Sequence, residues 1–99
     1  MPHYVYILAS KKHGTLYVGT TIDLDARVRA HKAGLVAGFT KDHGVKMLVY
    51  FESHDGLDAA RRRERSLKRW RREWKFNLIE RDNPNWDDLA VGLSHLGTT

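Results

Sequence analysis

The sequence predicts an α/β fold of the α+β kind: a small, mostly antiparallel three-stranded sheet flanked by helices, in the order β-β-α-β-α-α. Three observations predict it. Two short runs rich in β-branched and aromatic residues, His3–Ala9 (HYVYILA) and residues 15–21 (TLYVGTT), are separated by a short polar stretch of hairpin length. A third such run, residues 46–52 (KMLVYFE), stands between two helical patterns. The chain has 99 residues and shows no internal repeat or linker, so residues 3–89 are read as a single domain and 90–99 as a C-terminal tail.

His3–Ala9 is apolar at nearly every position, which suits a central strand with both faces covered. Tyr4, Tyr6 and Leu8 alternate with Val5 and Ile7, so Tyr4 and Tyr6 share one face. The polar turn KKHG leads to the second strand, where Tyr17 and Gly19 share a face. A glycine inside a strand marks a bulge or a close approach of backbone. Asp23 is an N-cap for a helix running to about Lys32, and Gly34 is a stop. Leu24, Val28, His31 and Leu35 fall on one face of that helix, with Arg27 beside the stripe. Residues 35–44 (LVAGFTKDHG) read as a loop with two glycines, and the third strand, apolar at its centre, follows.

Residues 56–81 form the longest helical pattern. Placing Leu67 at the centre of the buried stripe puts Ala60 and Leu78 at about +20°, Trp74 at about −20° and Trp70 at about −60°. Glu64 lies on the shoulder at about +60°, and most of the arginines lie on the far side. The length is excessive for one helix in so small a domain, and a break near residues 69–72 is expected, with a change of phase after it. A proline turn (DNPNW) follows, from which Trp86 is expected to fold back onto the core. Residues 87–96 suit a short helix, and 97–99 are expected to fray.

The formal charge of +5 is unevenly placed. Residues 57–81 hold ten Lys/Arg against four acids, a net of +6, while the rest holds seven against eight, a net of −1. A basic element on a neutral body suits a polyanion such as nucleic acid; the plainer reading is a solvated helix surface. The absence of cysteine excludes disulfides, thiolate zinc sites and Cys nucleophiles. The six histidines show no paired metal-ligand spacing, no phosphate-binding glycine loop is present, and no serine sits in a nucleophile elbow. No apolar run is long enough to cross a membrane and no signal peptide is evident, so a cytoplasmic protein is expected.

Tyr6, Tyr17, Arg27, His31 and Glu64 stand where packing alone favours other residues. Each has a plain explanation: a core tyrosine reaching water, a satisfied buried histidine, an arginine that snorkels or pairs with an acid, a glutamate paired with Arg27 or with Lys68 one turn on. Together they would form a kit for phosphoryl transfer, in which a carboxylate holds a metal, a guanidinium neutralises phosphate, and a phenol or imidazole moves a proton.

The opening strands resemble the GIY-YIG nuclease family. Tyr4-Val5-Tyr6 stands at the GIY position and Tyr17-Val18-Gly19 at YIG, with family spacing between them. Thr20, Thr21, Asp23-Leu24, Arg27 and His31 continue the family's pattern. Phe39-Thr40, Leu48-Val49-Tyr50, Arg63-Glu64, Leu67-Lys68, Asn83-Pro84 and Trp86 resemble its compact stand-alone bacterial subfamily. Tyr4 departs from the motif's first glycine.

The resemblance implies a metal-dependent endonuclease acting on DNA or another nucleic acid. Glu64 would bind Mg²⁺ or Mn²⁺, and Arg27 would contact the scissile phosphate. Tyr6, Tyr17 and His31 would form the catalytic cluster, with Gly19 packing closely beside it. Asn77 would match a polar residue that follows the metal acid. Arg62, Arg65 and Arg69 are the candidate nucleic-acid contacts. Larger relatives attach separate DNA-binding domains, so targeting here is expected to come from the module itself or from a protein partner. The alternative is a non-catalytic nucleic-acid-binding module with a vestigial nuclease site.

Overall fold

The computed structural model describes residues 2–36 and 38–96; the stretch 97–99, expected to fray, lies outside them. Strands β1 (His3–Ala9), β2 (Leu16–Thr21) and β3 (Met47–His54) form one fully antiparallel sheet in the order β2-β1-β3. The apolar β1 is the central strand, as its composition requires. Helix α1 (Leu24–Lys32) follows the hairpin, and the short α2 (Phe39–Asp42) lies in the stretch read as a loop. Helices α3 (Leu57–Arg69), α4 (Arg72–Asp82) and α5 (Ala90–Leu96) follow β3.

The alternation of β1 sorts the helices onto two layers. Val5, Ile7 and Ala9, with Val18 and Val49, meet Ala60 and Leu67 of α3, Leu78 and Ile79 of α4, and Trp86. Tyr6 and Leu8 point the other way and meet Leu24 and Val28 of α1, Leu48, and Leu93 of α5. Asp23 caps α1 as expected: its Oδ1 accepts from the Ala26 amide at 3.1 Å, a contact that stabilises a helix by about 1 kcal/mol. Of the predicted α1 stripe, Leu24, Val28 and His31 are buried, but Leu35 is exposed, because Gly34 at φ +72° ends the helix before it.

The long basic pattern does break. Trp70 and Arg71 are extended (ψ 147° and 150°), and α4 leaves in a new direction. The phase therefore changes, and Trp74, placed on the buried stripe by a continuous-helix reading, is 51% exposed. Ala60, Leu67 and Leu78 are buried as expected, and Trp86 folds back into the core. Trp86 Nε1 donates to Glu80 at 2.7 Å, and Glu80 also meets His13 Nε2 at 2.7 Å. Arg72 donates to the carbonyls of His13 and Gly14, both at 2.6 Å, so the β1–β2 turn is pinned to α4.

The two shoulders of α3 face opposite sheet edges. Arg63 donates to Glu52 of β3 at 2.9 and 3.3 Å. Glu52 also accepts from the Tyr50 hydroxyl at 2.5 Å and lies against His54. Burial pushes the Glu52 carboxyl up, but the hydrogen bonds from Tyr50, Arg63 and His54 outweigh it and hold the group below its ordinary value. With Arg63 turned to β3, the other shoulder, which carries Glu64, is turned to the β2 side.

Candidate active site

The site begins with a missing side chain. Gly19 of β2 pairs with Tyr6 of β1 in the antiparallel register. A Cβ at Gly19 would lie 2.6 Å from Tyr6 Oη, 2.7 Å from Tyr6 Cζ and 2.9 Å from Tyr17 Cε2. The Tyr6 ring thus lies across the glycine, which is the close approach the sequence implied. Its hydroxyl is 3.0 Å from His31 Nε2, and His31 Nδ1 is 3.0 Å from Thr40 Oγ1. Both imidazole nitrogens are therefore partnered. Tyr6, His31 and Thr40 are all nearly inaccessible, at 1%, 1% and 3% exposure. Tyr17 is half-buried, with its ring 6.2 Å from that of Tyr6 and 5.4 Å from that of His31.

The electrostatics tie the remaining residues to this cluster. Burial, first, and then neighbouring Tyr17 push the Tyr6 phenol well above its ordinary range; Arg27 pulls it down and Glu64 pushes it up. Burial, and then the Arg27 guanidinium, hold the His31 imidazole below its ordinary value. Tyr6 is therefore a protonated phenol and His31 a neutral imidazole at neutral pH. Arg27 itself is exposed, with its charge beside both of them.

Glu64 reaches the cluster from the other layer. Helix α3 packs on the face of the sheet opposite Tyr6, and the Glu64 charge nonetheless acts on the Tyr6 phenol, pushing it up. Its side chain is 19% exposed and pairs with Lys68 Nζ at 3.0 Å. Among the described residues no group of three His, Cys, Asp or Glu converges on a metal position. A single oxygen donor that leaves most coordination positions open suits Mg²⁺, which retains waters and is completed by substrate phosphate; it does not suit a closed zinc site.

The other sequence candidates stand apart from this cluster. Arg62, Arg65 and Arg69 line an exposed groove with Ser66, Trp70 and Trp74. Asn77 is exposed on α4 and lines a neighbouring hollow with Trp70, Trp74, Leu78 and Arg81. The residue that sequence reasoning missed is Thr40. Its only signal was its place in a family-like Phe-Thr pair, and α2, which presents it to His31, was not expected.

A three-stranded antiparallel sheet with helices on both faces, carrying a buried phenol–imidazole chain on its central strand with one arginine and one carboxylate acting on it, defines a class of compact α+β modules. The model of the GIY-YIG catalytic domain matches residues 2–77, and the chain belongs to that family. A UPF0213 protein of Staphylococcus haemolyticus is 40% identical over 78 residues, covering 79% of this chain and 94% of that protein. One of Haloquadratum walsbyi is 42% identical over 78 residues, covering 79% and 86%. The solution NMR structure of a UPF0213 protein from Bacillus halodurans superposes with a TM-score of 0.54 at 33% identity, covering 89% of this chain and 93% of that one. Among the described residues no helix is long and apolar enough to cross a membrane.

Proposed function

We propose that this chain is a metal-dependent endonuclease that hydrolyses phosphodiester bonds in DNA. The observation that supports it most is the Tyr6–His31–Thr40 chain laid over Gly19, with the charges of Arg27 and Glu64 acting on the same phenol. Glu64 would hold Mg²⁺ or Mn²⁺, which when bound supplies charge neutralisation at the phosphate and a water of lowered pKa. Arg27, exposed beside the cluster, binds the scissile phosphate and offsets the charge that builds on it. Tyr17, the more accessible phenol, gives up its own proton to solvent and as the phenolate takes the proton of the attacking water, with His31 beside it. Tyr6, kept protonated by burial, orients that water or the phosphate through its hydroxyl. The basic face of α3 holds flanking nucleic acid.

The test is Mg²⁺-dependent nicking of supercoiled DNA. Glu64→Gln keeps the shape and removes the charge, and it should lose nicking while its circular dichroism matches the parent. Equal nicking by parent and variant overturns the assignment of Glu64. The Lys68 ammonium, 3.0 Å from Glu64, favours a second reading in which the carboxylate is neutralised and the chain binds without cutting. On that reading the wild type binds DNA without nicking it, and Lys68→Met, which frees the carboxylate, should gain Mg²⁺-dependent nicking.

A further inference from the structure

We propose that the groove at the elbow between α3 and α4 is a second nucleic-acid subsite, which holds an unpaired DNA strand by stacking a base against Trp74. This deepens the reading of the chain as acting on nucleic acid, and it does not depend on cleavage.

The starting anomaly is Trp74 itself. It is 51% exposed, whereas Trp86 is buried at 2% and Trp70 packs partly against the core. Nothing in the packing of this small domain requires a large ring in solvent. The elbow at Trp70 and Arg71 sets the two rings in a T, 6.2 Å apart at 82°. They form a wall between two adjoining hollows. One is lined by Arg62, Arg65, Ser66, Arg69 and the two tryptophans. The other is lined by the tryptophans with Asn77, Leu78 and Arg81. No carboxylate lines either hollow. Arg62, Arg65 and Arg69 form no ion pair among the described residues, so their charges are available to a ligand. Guanidinium groups already associate with the rings: Arg63 lies 5.1 Å from the Trp70 centroid and Arg71 lies 5.5 Å from that of Trp74.

An exposed aromatic ring set among unpaired arginines is the chemistry of single-strand binding: a base stacks on the ring while phosphates follow the positive groove. A continuous duplex offers phosphates but no free base face, so it would engage the arginines and leave Trp74 unused. The groove belongs to the β3 shoulder and outer face of α3, whereas Glu64 occupies the β2 shoulder. The two positions are about one helix diameter, roughly 10–12 Å, apart. A strand crossing α3 would thus be anchored in the groove while its scissile phosphate lies beside Arg27 and Glu64.

The test is DNA binding by fluorescence anisotropy, in the Glu64→Gln background so that cleavage does not interfere. Three probes are compared: a single strand of about 12 nucleotides, within the range that such grooves cover, its duplex, and an abasic strand of equal length. The single strand should bind tighter than the duplex. Trp74→Ala should weaken it by about five- to hundredfold, the worth of one stacked base, and leave the duplex and the abasic strand unchanged. Trp74→Phe should restore most of the loss. Because Trp74 is exposed, the far-ultraviolet dichroism should stay constant. If Trp74→Ala weakens all three probes equally, or none of them, the stacking subsite is overturned while the nucleic-acid reading stands. If no probe binds even at low salt, the nucleic-acid reading falls and the subsite falls with it.

Discussion

Replacing Gly19 with alanine should separate the Tyr6–His31 pair and leave the backbone untouched. The added methyl carbon would lie 2.6 Å from Tyr6 Oη, 2.7 Å from its Cζ and 2.9 Å from Tyr17 Cε2, all closer than carbon tolerates. Tyr6 cannot yield freely, since it is 1% exposed and its hydroxyl is tied to His31 at 3.0 Å. Overpacking of a dense core costs about 1–3 kcal/mol, and losing one buried hydrogen bond adds about 1 kcal/mol. Against this, removing a glycine from a strand restrains the unfolded chain and returns about 0.4–1 kcal/mol. The net expectation is a loss of roughly 1–3 kcal/mol in urea denaturation, together with reduced nicking. A double-mutant cycle identifies the cause. In a Tyr6→Leu background the two shortest contacts are gone and only Tyr17 Cε2 at 2.9 Å remains, so Gly19→Ala should cost clearly less. An identical cost in both backgrounds would refute the reasoning, because the damage would then come from the strand or from Tyr17 and not from Tyr6.

Two further predictions concern the same chain of groups. Thr40→Val keeps the shape but strips the partner from His31 Nδ1, leaving a buried ring nitrogen unsatisfied; a loss of about 1–3 kcal/mol is expected by chemical denaturation, and Thr40→Ser should recover most of it. His31 is held neutral by burial and by Arg27, so the unfolded chain binds a proton that the folded one resists. Its contribution is complete above the unfolded value of about 6.5 and is lost as pH falls from there through the lower folded value. Denaturation midpoints measured from pH 8 to pH 5 should therefore fall more steeply for wild type than for His31→Gln, and parallel curves would contradict the assignment.

Most of the fold was legible because its elements are locally consistent. β1 is apolar throughout and is central; Asp23 does cap α1; the basic pattern was too long for one helix and breaks. Trp74 was misplaced because its phase was counted through Trp70 and Arg71, whose extended backbone resets the count. Leu35 fitted a stripe whose helix had already ended at Gly34. In the site, Tyr6, Tyr17 and Gly19 were readable from strand alternation, since period-two geometry settles which side chains share a face. Thr40 was not readable. A threonine in a loop between glycines carries no periodic signal, and its importance arises from His31, nine residues earlier, through a contact that only the tertiary fold creates.

The position of Glu64 shows why sheet order matters to the chemistry. Its helix packs on the layer opposite Tyr6, so periodicity alone, which aims the acid at the sheet, does not explain how its charge comes to act on that phenol. Two features account for it. β2 is an edge strand, so a side chain on the α3 shoulder can reach past it. Gly19, on that same strand, lets the Tyr6 ring lean outward across it. Arg63 on the opposite shoulder, tied to Glu52 of β3, fixes the roll of α3 and thereby the side to which Glu64 points. The Arg63–Glu52 pair thus acts on the site from the far edge of the sheet, through the orientation of a helix and without touching any reacting group.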